Sequence, residues 1–280
     1  MKSLLKQIRD NPIILSILVI ILKTCRWLGF FKSKKVYQHV PYRGIFTVPA
    51  NQYGIIFKME AHGSQLENAI FWEGLSGYES ETMDTFIRFA KTSNVVFDIG
   101  ANTGLFSLVA AAAGAKQVFA FEPVPRIFSI LCKNVTINSM STIRCQQLAV
   151  GNADSQAILF DPGGAIPYSA SLSQTFSSRC FGNNLTEISV FTVTVDSFVK
   201  NKKINNINLI KLDVEGYEEE VLKGMKQTVI MYSPIIIIEV LDEYEDKYKK
   251  LVESLWPSKY EWKRIDEADG SRNVLLLPLN

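Results

Sequence analysis

Five acids in this 280-residue chain stand at or beside the carboxyl ends of short apolar runs, where a carboxylate can meet a ligand: Asp98, Glu122, Asp213, Glu215 and Glu239. The most informative is Asp98, within Val95-Val96-Phe97-Asp98-Ile99-Gly100-Ala101-Asn102-Thr103-Gly104-Leu105. The apolar residues around it predict a strand buried on both faces, and Gly100 and Gly104 predict a tight turn into a helix over 105–113. Glycine allows positive φ and lets a ligand lie against main chain. The helix start offers unpaired N–H groups. Strand, glycine turn and helix together make a nucleotide-type site in a parallel sheet, although ordinary strand-to-helix turns use glycine too.

Glu122 follows Gly100 by 22 positions and closes Gln117-Val118-Phe119-Ala120-Phe121-Glu122, ahead of Pro123. An acid at that spacing, ending the second strand, accepts hydrogen bonds from adenosine ribose hydroxyls; the alternative is a solvated glutamate. Charge then selects the ligand. Dinucleotide turns carry Gly-x-Gly-x-x-Gly where the diphosphate presses on the backbone. Here the pattern is Asp98-x-Gly100-x-Asn102-x-Gly104, and the acid would repel a diphosphate. It suits a ligand with a positive end, such as a methionyl ammonium, and so points to S-adenosylmethionine.

These motifs are part of a longer series. Phe97–Gly104, Phe121-Glu122-Pro123, Leu148-Ala149-Val150-Gly151, Val193–Phe198 and Ile210–Glu218 occur in that order. The chain therefore resembles the FkbM-type family of S-adenosylmethionine-dependent methyltransferases over roughly residues 90 to 240. The resemblance implies a class I methyltransferase fold and O-methylation of a sugar, glycan or similar hydroxyl-bearing acceptor. It assigns Asp98, Gly100, Asn102, Gly104, Glu122 and Ala149 to the cofactor. The stretch matching Gly77–Glu81 precedes the first motif, which makes Glu79 or Glu81 a candidate for the methionyl end. A solvated helix start, with acids favoured by the helix dipole, is the alternative.

A hydroxyl acceptor must lose a proton to a side chain within hydrogen-bond reach. Asp213 is the first choice for that base or for an acceptor-binding group, and Glu215 the second. Lys211, two positions earlier on the same strand face, reads as a salt-bridge partner or as an anchor for an anionic group. His62 is the one plausible imidazole base, but a lone histidine in a hairpin region is more often structural. A single Asp-x-Glu does not make a magnesium site, and no metal is expected.

The elements that must hold these residues alternate. Strands are predicted at 94–99, 117–122, 143–149, 207–213, 234–240, 259–265 and 273–278. Helices are predicted at 104–113, 125–138, 196–200, 217–226 and 243–254. This pattern describes a doubly wound α/β fold with a mostly parallel seven-stranded sheet; the class I resemblance makes the last two strands an antiparallel pair. Asp161–Ser189 is serine-rich and lacks periodicity, and reads as a substrate-facing loop or lid. Before the sheet, Gly44–Val48 and Gly54–Met59 predict a small β-hairpin, and Glu79–Ala90 a helix. The expected organisation is an N-terminal hydrophobic helix (1–35), the hairpin-and-helix extension (36–90) and the methyltransferase domain (91–280).

Composition agrees with one large α/β domain plus additions. Apolar residues make up 47% of the chain, and a net charge of +2 gives no nucleic-acid footprint. Cys25, Cys132, Cys145 and Cys180 show no C-x-x-C pair and read as reduced thiols of a cytoplasmic protein. Pro12–Leu22 is apolar except for Ser16 and has cations on both sides. Eleven helical residues cover about 16 Å, short of the ~30 Å hydrocarbon core. With Trp27, Phe30 and Phe31 following, residues 12–31 suit an interfacial membrane anchor; the alternative is a helix docked on protein. The sequons at Asn134 and Asn184 matter only in a secretory compartment, and Asn134 falls on a predicted core helix. A catalytically inactive binding or scaffold protein on the same fold is the competing functional reading.

Overall fold

A computed structural model of the protein describes residues 11–30, 40–164, 170–182, 184–268 and 270–279. The chain separates into two units at Tyr78/Glu79. His39 and Phe31 lie outside the described residues.

In the first unit, the Asn11 side chain accepts from the N–H groups of Ile13 and Ile14 and starts helix α1 (Pro12–Trp27), with proline at the first helical position. Sixteen residues make a rod of about 24 Å. No described helix is long and apolar enough to cross a membrane. The Lys23 ammonium lies 4.0 Å over the Phe71 ring, and Arg26 donates to the Trp72 carbonyl at 2.6 Å. Strands β1 (Gly44–Val48) and β2 (Phe57–Ala61) form the expected antiparallel hairpin. The second strand begins three residues later than predicted. Asn51 accepts from the N–H groups of Tyr53 and Ile55 and holds that stretch as a turn. Helix α2 (Gln65–Glu73) was not predicted, although Ser64 and Glu67 form a capping box at its start.

The second unit opens with α3 (Ser80–Ala90), which packs on strands of the main sheet and so falls with them. The division is thus at 78/79, where the sequence placed it at 90/91. There follow β3 (Val95–Ile99), α4 (Leu105–Ala113), β4 (Gln117–Phe121), α5 (Pro125–Ile137) and β5 (Ile143–Gln146). Next come β6 (Ala149–Val150), β7 (Ser155–Asp161), α6 (Gln174–Phe181), β8 (Thr186–Val193) and α7 (Val195–Lys202). The chain ends with β9 (Leu209–Leu212), α8 (Glu218–Gly224), α9 (Lys226–Tyr232), β10 (Ile235–Leu241), α10 (Glu245–Leu255), β11 (Tyr260–Ala268) and β12 (Ser271–Pro278).

Seven strands form one sheet in the order β11-β12-β10-β9-β3-β4-β5. Strands β3, β4, β5, β9 and β10 run parallel, and β12 inserts antiparallel between β10 and β11. Every residue of β3 and β9 is buried, as central strands under helices on both faces require, the charged Asp98 and Lys211 included. On one face Phe97, Phe119, Phe121 and Phe198 meet edge-on or tilted. The predicted helix over 217–226 stops at Gly224, and a separate α9 begins at Lys226.

Asp161–Ser189 is not the irregular stretch that its composition predicts. Strand β8 begins at Thr186, and α6 occupies 174–181 behind Ser173, whose hydroxyl accepts from the Phe176 N–H. Strands β6, β8 and β7 make a separate three-stranded sheet. Serine disguises α6 because the polar Ser177 sits on its buried side beside Phe176. Residues 165–169 and 183 of the predicted lid lie outside the described residues.

Gly224 lies so close to the turn after β6 that a Cβ there would stand 1.9 Å from the Gly151 carbonyl oxygen. Gly224→Ala should therefore cost about 2–3 kcal/mol and lower the melting temperature by roughly 5–10 °C. A thermal melt shifted by less than about 2 °C would show that α8 does not press on this loop.

Candidate active site

The turn after β3 is built around Gly100, at φ +85°. Its N–H and that of Ala101 both donate to the Phe121 carbonyl. A Cβ at Gly100 would stand 1.7 Å from the Asp213 carbonyl oxygen, so only glycine lets the end of β9 close against this turn. Asn102 takes a left-handed conformation and its side chain accepts from the Thr103 N–H. Gly104 starts α4 at φ +96°, with Leu131 filling the space of a missing Cβ. The buried Asn134 amide donates to the Thr103 carbonyl at 2.8 Å and fixes the turn from α5.

Glu122 ends β4 beside this turn and is buried. Its carboxyl accepts from Val124 N–H at 2.8 Å and from Asn102 N–H at 3.1 Å. Burial pushes its pKa up to about 7, against the lowering effect of those two hydrogen bonds. Glu122, Gly100 and Asn102 line a cavity with about 520 Å³ of empty space, open to solvent. Leu148, Ala149, Leu159 and Leu172 form its apolar wall, and Asp213, Glu215 and Tyr217 another part of its rim. An apolar wall with a few convergent polar groups is the usual lining of a small-molecule site.

Behind the rim, Lys211 is only 1% exposed yet carries a charge. Burial alone would lower its pKa, but Asp213, Glu79, Glu239 and Asp98 outweigh that and raise it. Its ammonium is 3.4 Å from Asp213 Oδ2 and 5.1 Å from the Phe106 ring centre. Strands β9 and β10 pair Leu212 with Ile238, so Asp213 and Glu239 leave the sheet side by side. They share a side-chain hydrogen bond; the negative Asp213 and then burial push the Glu239 carboxyl well above the usual range. The Ser271 hydroxyl donates to Glu239 at 2.7 Å. Glu79, at left-handed φ 40°, accepts from the Asn273 amide at 2.9 Å, whereas Glu81 is exposed.

Asp98 does not line the cavity. It is buried and accepts a 2.5 Å hydrogen bond from Ser107 on α4. Burial raises its pKa to about 6, with Ser107 and then Lys211 working against that rise. Gly104 likewise lies outside the cavity lining. Glu215 lines it from a left-handed backbone conformation, and its carbonyl accepts the Ser171 hydroxyl at 2.7 Å. Glu218 holds this segment: one carboxyl oxygen accepts from the N–H groups of Val214 and Gly216, the other from the Tyr248 hydroxyl. Ser107, Asn273, Ser271 and Glu218 received no role from the sequence. For Glu218 the signal was its place in Asp213-x-Glu215-Gly216-x-Glu218; Ser107, Ser271 and Asn273 carried none. His62 lies in the first unit, its N–H donating to Glu67 and its ring beside Glu60 and Glu67. Among the described residues, no group of three or more acids, cysteines or histidines is arranged to hold a metal.

The strand order, with its antiparallel strand inserted next to the last, and the buried acid at the end of the second parallel strand define a class I methyltransferase fold with an adenosine-type cleft. The Methyltransferase FkbM domain model matches residues 98–264, more than half of the chain, and the chain belongs to that family. Its cofactor is S-adenosylmethionine. The cleft fits that molecule: Glu122 keeps lone pairs beyond its two backbone donors, the neighbouring wall is apolar, and surplus carboxylates suit a cationic end. The chain is similar to Methyltransferase 1 of Beauveria bassiana, 27% identical over 57% of this chain and 70% of the relative. It is also similar to the hexuronic acid methyltransferase AglP of Haloferax volcanii (26%, over 57% of this chain and 61% of the relative) and to the 2-O-methyltransferase NoeI of Sinorhizobium fredii (28%, 50% and 60%). For those two, the chain spans about three fifths of the relative's length. Among solved structures, an FkbM methyltransferase from Methylobacillus flagellatus superimposes with a TM-score of 0.44 at 15% identity, over 82% of this chain and 56% of the other.

Glu122 and Asp98 titrate in a predictable direction. Their folded pKa values, about 7 and about 6, lie above ordinary carboxyl values. Between roughly pH 4.5 and 7 the folded chain therefore binds more protons than the unfolded chain, and stability falls as pH rises through that window. Glu122→Gln should reduce the fall between pH 5 and 8 by on the order of 2–3 kcal/mol, read from urea midpoints. Parallel pH curves for variant and wild type would mean that Glu122 titrates normally.

Proposed function

We propose that this protein is an S-adenosylmethionine-dependent O-methyltransferase acting on a sugar or glycan hydroxyl, with Asp213 as the base. The observation that carries the reading is the Asp213 carboxylate on the cavity rim, held on one side by Lys211 and on the other by Glu239. The names of two relatives, one for hexuronic acid and one for 2-O-methylation, support a sugar acceptor.

When bound, the cofactor supplies an electrophilic methyl group; the chain does the rest. Glu122 accepts from the ribose hydroxyls, and Leu148, Ala149 and Leu159 cover the flat ring. Gly100, Asn102 and Gly104 shape the loop beneath. Glu79 is assigned to the methionyl end. Asp98 acts at one remove, tying β3 to α4 through Ser107 and balancing Lys211. Asp213 takes the proton of the acceptor hydroxyl, and Glu215 binds a neighbouring hydroxyl. Glu239, its carboxyl pushed up beside Asp213, shares a hydrogen bond with it and holds its orientation. Positioning of this kind supplies much of the rate in a displacement reaction. The same reading puts the enzyme at a membrane surface, through residues 12–31, without a span.

Calorimetric titration of the full chain should give one-to-one binding of S-adenosylhomocysteine and none of NAD, with Glu122→Ala weakening the former at least about tenfold. A folded chain that binds neither would overturn the enzyme reading in favour of the scaffold.

Against a panel of glycosides, Asp213→Asn should lower kcat by roughly 10²–10⁴ while leaving S-adenosylhomocysteine affinity within about threefold. Glu239→Gln should keep the wild-type pH–rate profile, because its amide can still donate the hydrogen bond to Asp213. A displaced acid limb would instead mean that Glu239 is ionised.

A further inference from the structure

The outward face of α1 plays no part in methyl transfer. Its five isoleucines, Ile13, Ile14, Ile17, Ile20 and Ile21, are all exposed, Ile13 by 71% and Ile20 by 64%. At 3.6 residues per turn they share one side of the rod, while Leu15, Val19 and Leu22 on the opposite side are buried. Lys23 over Phe71 and Arg26 on the Trp72 carbonyl fix which side faces out. Leu28 and Phe30 continue the exposed apolar surface. A helix with its inner side already covered gains nothing from a bare second apolar face, and contiguous patches of this kind mark contact surfaces.

Charge selects the partner. Residues 1–43 contain nine Lys or Arg and a single acid, Asp10, while the other 237 residues contain 21 basic and 27 acidic side chains. Docking on a second copy would bring two such basic segments together, which like-charge repulsion opposes. An anionic lipid surface offers the isoleucines an apolar layer and the cations their counter-charge. A rod of about 24 Å lies along that layer rather than across it. We propose that the isoleucine face of α1 docks this protein in the plane of an anionic phospholipid surface. The proposal rests on the membrane clause of the reading above and is independent of the chemistry assigned to Asp213.

The test is sedimentation of the full chain with vesicles of phosphatidylcholine alone or mixed with phosphatidylglycerol. The expected result is at least about tenfold more protein on the mixed vesicles, reduced by high salt. Ile17→Asp with Ile20→Asp should abolish pelleting, and the milder Ile17→Ser with Ile20→Ser should weaken it, both with unchanged circular dichroism and S-adenosylhomocysteine binding. No pelleting, equal pelleting on both vesicles, or a solution dimer that the double variants dissociate would each overturn the proposal. Vesicle binding by a chain that fails to bind S-adenosylhomocysteine would leave it standing while the methyltransferase reading fell.

Discussion

A charged ammonium buried in the middle of a sheet is the constraint on which the second unit turns. Lys211 cannot keep its charge at 1% exposure without compensation, because an unpaired ion in a protein interior costs several kcal/mol. Its compensation comes from four places: Glu79 at the start of α3, Asp98 on β3, Asp213 at the end of β9 and Glu239 on β10. Those acids are tied down in turn, Asp98 by Ser107, Glu239 by Ser271 and Glu79 by Asn273. The elements are therefore held to one another by charge as well as by apolar packing. Moving any one of them strands a buried ion, which makes the geometry at the rim stiff.

The backbone around this cluster is shaped to let it form. Gly100 gives up its Cβ so that the Asp213 carbonyl can press against the turn, which brings the carboxyl end of β9 to that of β3. Glu218 then gathers the N–H groups of Val214 and Gly216, so the chain leaves β9 in a fixed direction with Glu215 on the cavity wall. Asn134 performs the equivalent task for the first turn, through the Thr103 carbonyl. This buried amide lies inside a sequon, and the environment, not the tripeptide, settles its role.

How far the sequence reached depended on the range of the interaction. Patterns local to one element were legible: the apolar run into Gly100, the acid after β4 and the alternation that gives a doubly wound sheet. What was not legible lies where partners are distant in the chain. Val95–Ile99 is buried on both faces, so its apolar residues do not say which way Asp98 points, and it turned out to face Ser107 and Lys211 rather than the cavity. Gly100 read as a place for a ligand to approach, yet its strictest requirement is a carbonyl more than a hundred residues away. Helix α6 was hidden because serine carries no apolar period, and α3 was grouped with the hairpin because only packing joins it to the sheet.

The rim also has a direction of charge. Lys211 faces the carboxyls of Asp213, Glu79, Glu239 and Asp98, and four acids around one ammonium give the rim a negative bias, although the neighbouring Asp213 and burial push the Glu239 carboxyl up. In the weakly screened interior such a bias favours a cation at the open side and disfavours an anion. On the proposed reading this discriminates between the cofactor before and after it gives up its methyl, because only the former is positive at sulfur. A site that is stiff, negative and open on one side holds the charged reactant more tightly than the neutral product. The carboxylates that neutralise Lys211 thus also give the cleft a preference for its reactant.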